Sequence, residues 1–131
     1  MKVALCHLEL SNGPEQKNIE LLEKAVRIAA EKGANWVITP ETAVQGYYFY
    51  KLEPETKVDK QPSSKLSFLL SLVKDYGLFL FLGCGEYDSE LNCNFNSCIV
   101  FEPSGEICGR HRKIISHGIG AESWARTADV L

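Results

Sequence analysis

Three charged residues stand where the chain leaves, or follows shortly upon, an apolar run. Glu41 closes Val37-Ile38-Thr39-Pro40-Glu41, Lys113 follows Gly109-Arg110-His111-Arg112, and Glu122 comes nine positions later within Gly120-Ala121-Glu122-Ser123-Trp124. A carboxylate beside an ammonium in a cleft keeps both groups charged, and such a pair can take a proton and steady an oxyanion. It cannot alone open an amide efficiently, because that step needs a nucleophile. Taken singly, each has a plainer reading. A carboxylate at a strand exit is ordinarily a solvated loop residue, and Arg110 to Lys113 can be a basic sheet edge that discourages strand addition.

Five cysteines offer thiols: Cys6, Cys84, Cys93, Cys98 and Cys108. Their number is odd, most sit inside apolar runs and none forms a CxxC pair, the pattern of reduced, buried thiols. Cys84, in Gly83-Cys84-Gly85-Glu86, is the candidate nucleophile, since glycines at a strand end can expose it to Glu86 or Glu41. The balance favours a packed strand cysteine, and the same holds for Cys6, Cys98 and Cys108. Cys108, His111 and His117 suggest zinc, but the neighbouring Arg and Lys would repel the cation, so no metal is expected. Tyr47, Tyr48, Phe49 and Tyr50 either line a pocket or cover a sheet edge, and Trp124 reads as an anchor for its loop.

Positioning these groups requires a scaffold. Residues 2 to 10 read as a strand, and Pro14 opens a helix carrying Ile19, Leu22, Val26 and Ala29 on one face until Gly33 closes it. Trp36 to Thr39 is a second strand, and the charged, proline-bearing residues 51 to 62 form a loop. Ser63 or Ser64 can cap a second helix ending at Gly77. The unalternating run 78 to 82 predicts a central strand covered on both faces. Strands at 95 to 101 and 106 to 112 flank a hairpin turn at Glu102 to Gly105. The order predicts an α/β sheet with three parallel strands and an antiparallel edge, whose strand ends bring Glu41 and Lys113 together if their strands are neighbours.

With 131 residues and 45% hydrophobic content the chain is one domain, burying roughly two thirds of its unfolded surface. A net charge of -3 and a pI near 5.6 give no general attraction for nucleic acid. The first apolar run is too short for a signal-peptide core or a membrane span, which places the chain in the cytoplasm and away from membranes.

Three segments together, ITPETAVQGY, GRHRKI and GAESW, resemble successive blocks of the nitrilase superfamily, the carbon-nitrogen hydrolases. The resemblance runs the length of the chain and implies the N-terminal half of a four-layer α-β-β-α sandwich. It implies that Glu41 is the general base, that Lys113 stabilises the tetrahedral intermediate and that Glu122 positions substrate and base. No metal or organic cofactor is implied, and the substrate is a small amide, carbamoyl compound or nitrile. The family's nucleophile is a Cys on a later strand, so the domain spanning 1–131 reads as truncated before it. A homo-oligomer or a complementing C-terminal half is the expected partner. Two alternatives remain: a catalytically inactive remnant that associates with a full-length relative, and a small flavodoxin-like binding domain. The latter lacks a glycine-rich phosphate loop after the first strand.

Overall fold

Short apolar runs and two amphipathic helices build a five-stranded sheet covered by helices on one face. The computed structural model describes residues 1–52, 57–115 and 119–128. β1 (Val3–Leu5) leads to α1 (Glu15–Glu31), β2 (Trp36–Ile38) and a short α2 (Phe49–Leu52). A 3-10 turn, Ser64–Leu66, then runs into α3 (Ser67–Tyr76), followed by β3 (Phe79–Asp88), β4 (Cys93–Phe101), β5 (Ile107–Arg112) and a last 3-10 turn, Gly120–Glu122.

The sheet order is β1-β2-β3-β4-β5. β1 with β2 and β2 with β3 are parallel, whereas β3 with β4 and β4 with β5 are antiparallel. The expected mixed sheet with a central third strand is therefore observed. Its two antiparallel ladders differ from an all-parallel flavodoxin-like sheet.

α1 buries Ile19, Leu22, Val26 and Ala29 as their spacing predicts. With Leu69 and Val73 of α3 they pack on Val37, Leu80, Leu82, Cys84, Ile99 and Phe101, alternate residues of the three central strands. Each such aliphatic side chain contributes about 1.5–3 kcal/mol by leaving water. Those helices cover one face. The other carries Val3 and Leu5, 41% and 77% exposed, and the half-buried Trp36, Ile38, Phe79 and Phe81. The Trp36 ring lies 5.2 Å from that of Phe81.

Several boundaries differ from the sequence reading. β1 stops at Leu5 rather than residue 10, because its partner β2 has only three paired residues before Pro40. β3 continues through Gly83 to Asp88 instead of ending at residue 82, and turns back into β4 with Asp88 Oδ1 accepting from the amides of Glu90 and Leu91. Ser63 makes no side-chain cap; its amide donates to Gln61 Oε1 at 3.0 Å. Residues 51 and 52 of the expected loop are helical, and 53–56 lie outside the described residues.

Candidate active site

Beyond Ile38 the parallel partner of β3 ends, yet β3 runs on with backbone groups that need bonds. The segment after β2 and the loop before α3 supply them in succession. Gly83 N donates to Thr39 Oγ1 at 2.9 Å, and Ala43 N donates to Gly83 O at 2.7 Å. Gly85 N donates to Gln45 Oε1 at 2.8 Å, Gln61 Nε2 to Gly85 O at 3.1 Å, and Tyr87 N to Asp59 O at 3.0 Å. Buried Asn18 ties the same segment to α1, its Nδ2 reaching Ser11 O at 2.7 Å and Val44 O at 3.1 Å. Thr42 takes a φ of +47° within this turn, a left-handed conformation uncommon for a β-branched residue.

The crossing requires two positions without side chains. A β-carbon at residue 83 would overlap Pro40 O and lie 3.1 Å from Glu41 Cα. One at residue 85 would lie 3.1 Å from Val58 and 3.2 Å from the Trp124 ring. Gly83 pairs with Cys98 and Gly85 with Asn96, so Glu41 and the Trp124 segment close on the sheet beside Asn96. Trp124 packs edge-on against Phe49, centroids 5.0 Å apart, as expected of a loop anchor.

This architecture brings all three expected charged residues together, although β2 and β5 are not neighbours. Two strands separate them; the segment carrying Glu41 crosses β3, and β5, antiparallel to β4, ends at the same rim. Lys113 Nζ lies 2.8 Å from Glu41 Oε1 and also hydrogen-bonds Glu122 Oε1. A fourth residue joins them: Asn96 Nδ2 is 2.6 Å from Glu41 Oε1 and 3.4 Å from Glu122 Oε1, while Asn96 O accepts from Lys113 N at 2.8 Å. The Glu122 side chain is 2% exposed, that of Lys113 34% and that of Glu41 43%. Hydrogen bonds from Lys113 to Glu122 and then to Glu41 hold its ammonium well above the usual lysine range.

The family model of the carbon-nitrogen hydrolases matches residues 2–123. The chain belongs to that family. It is 31% identical to a nitrilase from Pyrococcus abyssi over 87% of its own length and 43% of the nitrilase. It is 32% identical to an omega-amidase from Xenopus laevis over 74% of its length and 34% of that protein. Its fold superposes with a TM-score of 0.83, at 20% identity, on a mutant of the amidase from Nesterenkonia sp., covering 99% of this chain and 49% of that one. That mutant carries the acetamide moiety of fluoroacetamide at its active-site cysteine. The chain thus spans half or less of the proteins it matches, and it contributes one sheet and one helical layer of the nitrilase-superfamily fold.

Within this carbon-nitrogen hydrolase chain, Cys84 is fully buried on the helix-covered side, and burial followed by the Glu86 charge pushes its thiol well above the usual range. It packs as a core residue. Cys98 and His111 line an open cleft of about 220 Å³ with Glu41, Asn96 and Lys113, and burial raises the Cys98 thiol as well. The basic run is not a free solvated edge. Arg112 Nε donates to the buried Glu86 at 2.8 Å, its Nη2 donates to Asp88 at 2.8 Å, and its guanidinium stacks 4.0 Å from the Phe95 ring. Arg110 Nε lies 3.1 Å from Glu86 Oε2.

The aromatic run divides. Tyr47 is half-buried, and burial, then the charges of Glu122 and Glu41, raise its hydroxyl. Phe49 is buried against Trp124, whereas Tyr48 is exposed. His117 lies outside the described residues, among which no group of three or more His, Cys, Asp or Glu side chains is placed to hold a metal. No helix among them is long and apolar enough to cross a membrane. Asn96 is the site residue the sequence reading missed. Asn is depleted in strands, but β4 also holds Asn94 and Ser97, so the amide at 96 had little to set it apart.

Proposed function

We propose that this chain serves hydrolysis of a non-peptide carbon-nitrogen bond, in an amide, carbamoyl compound or nitrile, through a cysteine thioester. The observation that carries the reading is an ammonium, Lys113, held between two carboxylates at the rim of the sheet. Glu41 takes the proton of the thiol, and the thiolate attacks the electrophilic carbon. Lys113 steadies the negative charge that develops on oxygen, or on nitrogen for a nitrile, and Glu122 keeps the ammonium in place. For an amide, ammonia or an amine leaves with the proton from Glu41; for a nitrile, the thioimidate first takes up a water and then loses ammonia to reach the thioester. Glu41 then activates the water that releases the acid from the thioester. A metal or organic cofactor has no step to perform in this sequence.

The thiol belongs to protein beyond residues 1–131, on the remainder of a longer chain or on a complementing polypeptide. Support comes from the active-site cysteine of the Nesterenkonia amidase, from the raised thiols of Cys84 and Cys98, and from the helix-free sheet face that the remainder would cover. The names of its relatives, nitrilase and omega-amidase, support the substrate class. Five unpaired cysteines support a reducing cytoplasm, and self-association is expected of the assembled enzyme.

The test is ammonia release by the complete native polypeptide carrying residues 1–131, with short amides, ureido compounds and nitriles as substrates and the thioester trapped by mass. Turnover that survives Glu41→Gln unchanged overturns the assignment. The second reading is an inactive partner subunit, favoured by burial raising the thiols of Cys6, Cys84 and Cys98. Binding to a full-length relative with no gain in ammonia release would select it.

A further inference from the structure

Two carboxylates that converge on one ammonium repel each other, and Glu41, whose side chain is 43% exposed, needs a hold besides the ammonium to keep one arrangement. The site contains such a hold. Asn96 is 5% exposed in β4, and a buried amide must direct its hydrogen-bonding groups at partners. Its Nδ2 carries two hydrogens, and two carboxylate oxygens, Glu41 Oε1 at 2.6 Å and Glu122 Oε1 at 3.4 Å, stand within reach. The opposite orientation would bring the acceptor Oδ1 against two other acceptors, so the donor side faces the acids. Because Asn96 O also accepts from Lys113 N at 2.8 Å, the amide and the ammonium rise from strands locked in register.

We infer that Asn96 is a positioning residue for the base, clamping Glu41 and Glu122 in the one arrangement in which their Oε1 atoms share Lys113. The inference rests on the reading of Glu41 as the base. Among the described residues, the bonds to Glu41 from Asn96 and Lys113 both end on Oε1. Oε2 is then the oxygen a thiol can reach, on a side chain 43% exposed. A neutral amide suits this role because it adds donors to a pair of acids without adding a second cation that would compete with Lys113 for them. Although Asn96 lines the cleft, it is 5% exposed and its Nδ2 is spent on the two acids, so its loss should fall on the rate more than on binding.

The test uses the complete native polypeptide and two readings, steady-state kinetics and the rate at which iodoacetamide alkylates the nucleophilic thiol. Alkylation is measurable even where turnover is lost. Asn96→Leu keeps the approximate size and removes the donors; kcat should fall between about 10- and 100-fold, the cost of a base displaced by a fraction of an ångström to an ångström, while KM changes less than about threefold. Alkylation should slow in Asn96→Leu and in Glu41→Gln, and the double variant should be no slower than Glu41→Gln, since Asn96 acts through Glu41. Asn96→Ser, smaller and with one donor, should fall between wild type and Asn96→Leu, and it carries the test if the leucine variant fails to fold. Wild-type kcat and alkylation in the folded variants, or a loss that adds in full to that of Glu41→Gln, would overturn the inference. Normal turnover in Glu41→Gln would instead remove the base assignment itself, so the two failures are distinguishable.

Discussion

The carbonyl oxygen of Pro40 occupies the space that a side chain on residue 83 would need. Gly83→Ala should therefore push the crossing segment off β3, breaking the 2.7 Å bond from Ala43 N and moving Glu41. The overlap is with backbone, which cannot swing aside, so we expect about 2–3 kcal/mol of lost stability in urea unfolding and a large loss of activity in the complete enzyme. Gly85→Ala meets the side chains of Val58 and Trp124 at 3.1–3.2 Å, which can give way, and should cost less. The reverse order would show that the crossing is not backbone-limited.

Glu41→Gln keeps the size of a side chain that is 43% exposed, so unfolding should move by less than about 0.5 kcal/mol. Acylation of the complete enzyme should fall by at least 100-fold, within the range of about 10²–10⁴ for a general base. Rapid-quench mass measurement of the thioester reads this directly.

Lys113→Met leaves the buried Glu122 without its ammonium, and we expect both activity and stability to fall. The pH dependence follows from the raised folded-state pKa. Folding then favours the protonated ammonium, so its contribution is complete below the unfolded value near 10.4 and declines as pH rises above it. The stability gap between wild type and Lys113→Met should be level from about pH 7 to 10 and shrink at higher pH. A gap that closes already near pH 8 would contradict the ion-pair geometry.

Cys84 should resist iodoacetamide at pH 8 in the folded chain while exposed Cys108 reacts, because burial disfavours the Cys84 thiolate. Cys84→Ala should retain catalysis in the complete enzyme at a modest cost in stability. Loss of acylation without loss of fold would revive Cys84 as nucleophile.

The 131-residue chain by itself should bind a hydrophobic dye or aggregate, through the face carrying Leu5, Trp36, Ile38, Phe79 and Phe81. A monodisperse chain without dye binding would mean that this face needs no cover.

The sequence made much of this legible. The alternation of strands and helices foretold the sheet, and helical spacing foretold the buried stripe of α1. Glu41, Lys113 and Glu122 were recognisable from three short blocks, and they do meet. What stayed hidden depended on contacts distant in sequence. Gly83 and Gly85 read as the end of a strand, whereas they let a second segment lie across one that continues. Asn96 gave little local sign of its role, because its partners are 55 and 26 residues away. The length of β1 was likewise set by the shortness of β2, which residues 2 to 10 do not record.

The order of strands across the sheet is the order in which they occur along the chain. Each strand leaving the ribosome therefore finds its partner already in place, and no strand must wait for, or be threaded between, segments made later. Such a layout suits assembly during synthesis, with the helices shielding one side as soon as they emerge. Once β5 has paired with β4, the nascent sheet already carries Glu41, Lys113 and Asn96 in one cluster.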